Sequence, residues 1–172
     1  MDDFFTKFAA KVFLQEEPNP ERQLRDFENR FGTKIPRRLR EILVQCAGSV
    51  VFDRVVSFKP MTVTGWEGRR GTVAISIIFG PSDDSNGLLK NKLTYADQLP
   101  HDLTPFAGLG GGNLLCYDDK TGAILFWDHE SPPDKENIFM VAENFSDFEA
   151  QLNVESDPVQ RDFGVVKVDL KF

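Results

Sequence analysis

FAGLGGGNLLCYDDKTGAILFWDHES, residues 106–131, sets four glycines within five positions against an apolar run, then follows Asp119-Lys120-Thr121-Gly122 with a second apolar run. A glycine loop that cradles phosphate does so because its backbone N–H groups converge on the anion where a helix begins. Here Gly108, Gly110, Gly111 and Gly112 lead into NLLCYD, a strand pattern, and no Lys-Ser or Lys-Thr follows them directly, Lys120-Thr121 coming only after the strand. They read instead as a tight backbone crossing, where positive φ or close packing excludes a side chain. NLLCYD, the Asp-Lys-Thr-Gly turn and AILFWDH have the layout of a β-hairpin.

Upstream, Phe4, Phe5, Phe8, Ala9 and Val12 fall at helical spacing behind Asp2 and Asp3, which predicts an amphipathic helix over about residues 3–15. Leu24, Phe27 and Phe31 share one face of a second helix that starts at Pro20 or Glu21 and closes at Gly32. Pro36 suits the first turn of a third helix, with Leu39, Ile42, Leu43, Cys46 and Ala47 as its apolar stripe and Gly48 at its end. SVVFDRVVSF and TVAISIIFG then read as strands joined by the turn GWEGRRG, and residues 93–99 as a short helix stopped by Pro100. NIFMVA reads as a strand, and Asn144 or Ser146 can cap a closing helix that buries Phe145, Phe148 and Leu152. Past residue 155, Gly164, Val166, Val168, Leu170 and Phe172 alternate with Val165, Lys167, Asp169 and Lys171, the period of a last strand. The pattern predicts an α+β fold: N-terminal helices, then a mainly antiparallel twisted sheet with helices packed on it. One domain is expected over residues 1–155, with residues 156–172 as a C-terminal extension that can add a strand.

Composition narrows the function. An apolar fraction of 41% against 27% charged residues is that of a globular chain, and no basic leader or long apolar run suggests secretion or a membrane span, so the cytoplasm is the expected address. Cys46 and Cys116 each sit in apolar surroundings and read as buried thiols. The net charge of −7 is unevenly spread: residues 113–164 carry 12 Asp/Glu against 3 Lys/Arg, whereas residues 1–112 carry 14 against 15. Such a segment repels nucleic acid and attracts a basic partner, or simply keeps a face solvated.

Asp128-His129-Glu130 could in principle hold a metal or move a proton, but Pro133 stands where a zinc helix needs its second histidine. His101, the other histidine, lies in a Pro-His-Asp loop. No serine nucleophile elbow, Cys-x-x-Cys pair or kinase-type motif occurs, so neither catalytic residues nor cofactor nor metal is expected. Gly65-Trp66-Glu67-Gly68-Arg69-Arg70-Gly71 presents an aromatic and two guanidiniums, a combination common at binding hot spots and equally a hairpin tip packed by its own tryptophan.

Three blocks in order resemble the SUKH superfamily, which contains fungal cell-wall synthesis regulators and many bacterial immunity proteins. FENRFGTKIPRRLREILVQCAG is similar to its helix, Gly, Ile-Pro and second helix, with Glu28, Gly32, Ile35, Pro36, Leu39, Leu43 and Gly48 in matching places. The opening stretch resembles its glycine crossing and hairpin, and VAENFSDFEAQL its closing Phe-x-x-Phe helix. Asn113 departs from the pattern, since relatives often carry Asp after the glycines. The resemblance implies a protein-binding domain without catalysis that caps a toxin, frequently a nuclease; the alternative is a regulatory or scaffold module of the cell-wall regulator type. A basic toxin domain is the expected partner, with no nucleic acid or membrane and a monomer or weak dimer. Candidate contacts are Asp118, Asp119, Asp128, Glu130, Asp134 and Glu136, with Trp66 and Trp127 as anchors.

Overall fold

A computed structural model describes residues 3–13, 18–68, 70–132 and 136–155. Asp134 and the alternating tail from residue 156 onward lie outside the described residues.

The hairpin expected at the opening stretch is the centre of the sheet. Leu114–Asp118 pairs antiparallel with Ile124–Trp127, with Leu114 opposite Trp127 and Tyr117 opposite Ile124. Gly122 closes the turn at φ 77°, its N–H donating to the Asp118 carbonyl at 2.8 Å. The strand on the near side of the glycines, Leu103–Leu109, is absent from the sequence reading. It is buried along most of its length and so shows no alternation, and Pro105 argues locally against a strand. The register shifts between Pro105 and Ala107, a local irregularity at the proline, which has no N–H for the ladder.

In chain order the strands are β1 (Ala10–Phe13), β2 (Ser49–Phe52), β3 (Val56–Phe58), β4 (Val73–Ile78), β5 (Leu103–Leu109), β6 (Leu114–Asp118), β7 (Ile124–Trp127), β8 (Ile138–Ala142) and β9 (Asn153–Val154). They lie in the order β1-β2-β4-β5-β6-β7-β8, while β3 also pairs with β4 and carries β9 on its other side. Every one of these pairings is antiparallel. SVVFDRVVSF thus supplies two strands, split at Asp53-Arg54-Val55.

The N-terminal expectation needs correction. The helix α1 covers only Asp3–Lys7; Ala9 then takes φ 47°, and the chain returns as β1 against β2. Phe4 and Phe8 are one helical turn apart and both fully buried, so the helical spacing was real for a single turn. Beyond it the edge of β2 offers backbone partners, as in the 3.1 Å bond from Asp53 N–H to the Ala9 carbonyl.

The next two helices follow expectation closely. In α2 (Pro20–Phe31), Asn19 accepts the Arg22 N–H and Gly32 ends the helix at φ 64°. In α3 (Arg37–Cys46), Pro36 occupies the capping position just before the first turn, and Ala47 instead of Gly48 takes the left-handed conformation. The short helix α4 is Leu88–Thr94, earlier than residues 93–99, because the apolar Leu88 and Leu89 seat its first turn. The closing helix α5 (Phe145–Gln151) is capped by Asn144, whose side chain accepts the Asp147 N–H.

One continuous core results. Consecutive residues Leu114 to Tyr117 point to opposite sheet faces yet are all buried, so both faces are covered. Phe106, on the same face as Tyr117, meets Phe145 and Phe148 of α5 edge-on, with ring centroids 5.7 and 5.9 Å apart. On the other face Tyr95, just after α4, packs edge-on against Trp127 at 5.6 Å. Cys46 and Cys116 are buried free thiols, as expected. Among the described residues no helix is long and apolar enough to cross a membrane.

Candidate partner-binding surface

The β6–β7 hairpin sets Asp118 and Asp119 at its turn and Asp128 and Glu130 at its opposite end. At the turn end, Asp118 spends its carboxylate on the fold, Oδ1 accepting the N–H groups of Lys120 and Thr121 at 2.8 Å each. Burial raises this carboxyl, but the N–H groups of Thr121 and Lys120 outweigh it and hold it below the usual aspartate value. Asp119 is enclosed further. It accepts the Thr33 and Thr104 hydroxyls at 2.6 and 2.7 Å, and Lys92 Nζ lies 3.6 Å away. Lys92 itself donates to the carbonyls of His101 and Leu103, so these groups tie β5, β6, α4 and the α2–α3 corner together.

The far end of the hairpin is built differently. Gly111 and Gly112 take φ 72° and 81°, and their missing side chains make room for two rings. A β-carbon on Gly111 would stand 2.8 Å from the Trp66 indole, and one on Gly112 3.2 Å from the His129 imidazole. The glycine crossing is therefore a platform on which Trp66 and His129 lie. The Trp66 loop is shaped by Glu67, whose two oxygens accept the N–H groups of Thr64 and Gly65 at 2.6 and 2.9 Å. Asn113, 1% exposed, accepts the His129 N–H at 3.0 Å. An uncharged amide oxygen thus serves a local backbone contact at this position.

Asp128 joins the two rings to the hairpin. Burial raises its carboxyl, while the Ser131 hydroxyl, the Trp66 side chain and the N–H groups of Glu130 and Ser131 together hold it below the usual aspartate value. The Ser131 hydroxyl is 2.7 Å away and the Glu130 N–H 3.0 Å. Glu130 and Glu136 are exposed, His129 is exposed beside them, and Trp66 is half-buried. A hollow of about 460 Å³ opens at Trp66, lined also by Val55, Gly68, Arg70, Thr72, Ala74 and Glu155. Trp127 is only 3% exposed, held between Tyr95 and His129, and belongs to the core instead of presenting an anchor. Its strand is covered on both faces, which a sequence with no visible neighbour for either face cannot reveal.

The sequence reading omitted Glu143, an exposed acid at the end of β8, because it precedes the capping Asn144 and reads as part of a helix start. No group of three or more His, Cys, Asp or Glu side chains able to hold a metal ion occurs among the described residues.

The chain is 32% identical over 165 aligned residues to the SPbeta prophage-derived uncharacterized protein YokK of Bacillus subtilis (strain 168), an alignment covering 88% of this chain and 84% of the relative. The profile of the SMI1 / KNR4 family (SUKH-1) matches residues 18–151, which run from α2 through the hairpin to α5. With the Ile-Pro helix entry, the glycine crossing and the closing helix all in place, the chain belongs to the SMI1 / KNR4 family (SUKH-1).

Proposed function

We propose that the protein is a cytoplasmic immunity protein that binds a basic toxin domain, a nuclease by preference, and blocks it without doing chemistry of its own. The family includes toxin-immunity proteins, and its domains generally act through protein–protein contacts without catalysis. Similarity to a prophage-derived protein is in keeping with this reading. The observation that carries it is the far end of the hairpin, where half-buried Trp66 lies on Gly111 and bonds Asp128, and where the chain running on from Asp128 exposes Glu130 and, further along, Glu136. An amphipathic aromatic in an acidic segment suits a cationic protein surface, since the ring supplies contact area and the exposed carboxylates draw the partner in.

Asp118 and Asp119 belong to the same acidic segment and add to its long-range field, although their carboxylates are occupied by the fold. Asp134 and Glu136 extend the acidic run between β7 and β8. The experiment is co-expression with the products of adjacent genes, followed by purification of the complex and measurement of association at increasing salt. A toxic partner whose association slows as salt rises is the expected result, with Glu130→Lys associating more slowly and with a weaker salt dependence. Recovery of endogenous regulatory partners alone would favour the scaffold function instead.

A further inference from the structure

The sheet path ends at β8, and no described strand lies beyond it. Asp128 donates its N–H to the Asn137 carbonyl at 2.8 Å; one step on, Ile138 stands opposite Trp127 and Met140 opposite Leu125. Bonded and non-bonded pairs alternate along an antiparallel ladder, so Ile138 and Met140 turn their N–H and C=O groups away from β7 and onto the open edge. Met140 is 38% exposed and Ile138 half-buried, which leaves apolar side chains beside those backbone groups. Gln151 covers the next carbonyl, that of Val141, at 3.1 Å and so marks where the open stretch stops.

The other end of the sheet differs. β1 carries Lys11, which bridges Asp53 at 2.7 Å, and a lysine on an edge strand discourages further pairing. β8 holds no charge within it, and the charges at its ends, Glu136 and Glu143, are both acidic and both exposed.

We propose that β8 is a docking edge for an extended segment of a partner protein, one that alternates apolar side chains with Lys or Arg and adds to the sheet as a further strand. The outward groups of Ile138 and Met140 supply main-chain bonds, their side chains meet the apolar residues of the incoming strand, and Glu136 and Glu143 select basic residues. A second copy of this chain fits poorly, because antiparallel pairing across Met140 sets Glu136 of one chain beside Glu143 of the other. The inference rests on the protein-binding reading above and specifies the mode of contact.

The test uses the full chain and a short capped peptide alternating valine with lysine, with a valine–glutamate peptide as control, read by residue-resolved amide exchange. The lysine peptide is expected to slow exchange at Ile138 and Met140 by about tenfold or more, the glutamate peptide to leave it unchanged. Met140→Pro, which deletes an outward N–H and no β7 bond, abolishes the effect; should that variant fail to fold, Glu136→Lys with Glu143→Lys must weaken it. Protection at β1, equal protection by both peptides, or none overturns the proposal, and protection that grows with protein concentration alone makes a second copy the occupant and overturns it too. No toxin takes part, so the two readings fail separately: a bound toxin that leaves these amides exchanging sinks the docking edge alone.

Discussion

The indole of Trp66 lies on Gly111 so closely that a β-carbon at that position would be 2.8 Å from the ring, at a backbone φ of 72°. Gly111→Ala therefore both strains the backbone and displaces the indole. A loss of about 1–3 kcal/mol is expected, with a change in tryptophan fluorescence and weaker binding of the proposed partner. Gly110→Ala, where a β-carbon meets nothing within 4 Å, leaves all three measurements nearly unchanged.

The acids at the two hairpin ends are expected to separate under mutation. Asp119→Ala removes the acceptor of the Thr33 and Thr104 hydroxyls and the counter-charge of the little-exposed Lys92, which keeps its two carbonyl acceptors, and costs about 3 kcal/mol in urea unfolding. Glu130→Lys, on an exposed side chain, shifts stability by less than about 0.5 kcal/mol. Its effect is expected in the association rate, and the contrast vanishes if both variants behave alike.

Acid titration follows from Asp118 and Asp128, both held below the usual value of 3.8 in the fold. The unfolded chain binds these protons at higher pH than the folded chain does. Their stabilisation is thus complete above the ordinary aspartate range and is lost as pH falls through it toward the lower folded values. Asp128→Asn should flatten the fall in stability between neutral pH and about pH 3. Urea midpoints measured across that interval check the sign.

Burial raises the thiols of Cys46 and Cys116, the former to about 11. Native protein at pH 8 is expected to resist a disulfide-exchange reagent, with both thiols released only on unfolding. Rapid modification of either in the folded chain contradicts the placement.

Phe148 meets Phe58 of β3 and Phe106 of β5, so one ring holds α5 to two strands. Phe148→Ala is expected to cost about 3–5 kcal/mol, read from chemical unfolding.

The helix–Gly–Ile-Pro–helix block and the hairpin were legible because their signals are local: caps, turns and periodicity within a dozen residues. β5 was not, since a strand buried on both faces loses its alternation and Pro105 imitates a loop. β1 was hidden for another reason, its partner β2 being some 40 residues away. The candidate acids show the same boundary. Asp119 looks like its neighbour Asp118 in sequence, yet its partner Thr33 lies 86 residues away, and nothing local announces that the carboxylate is already engaged. Trp66 could be singled out by residue type alone, but its seat on Gly111 could not.

Because that seat joins a loop before β4 to a crossing after β5, no short piece of the chain carries the Trp66 surface. A partner that grips it recognises only finished molecules. A partner bound there would add its free energy of binding to the stability of the folded chain, so the complex is expected to resist proteolysis better than the free protein.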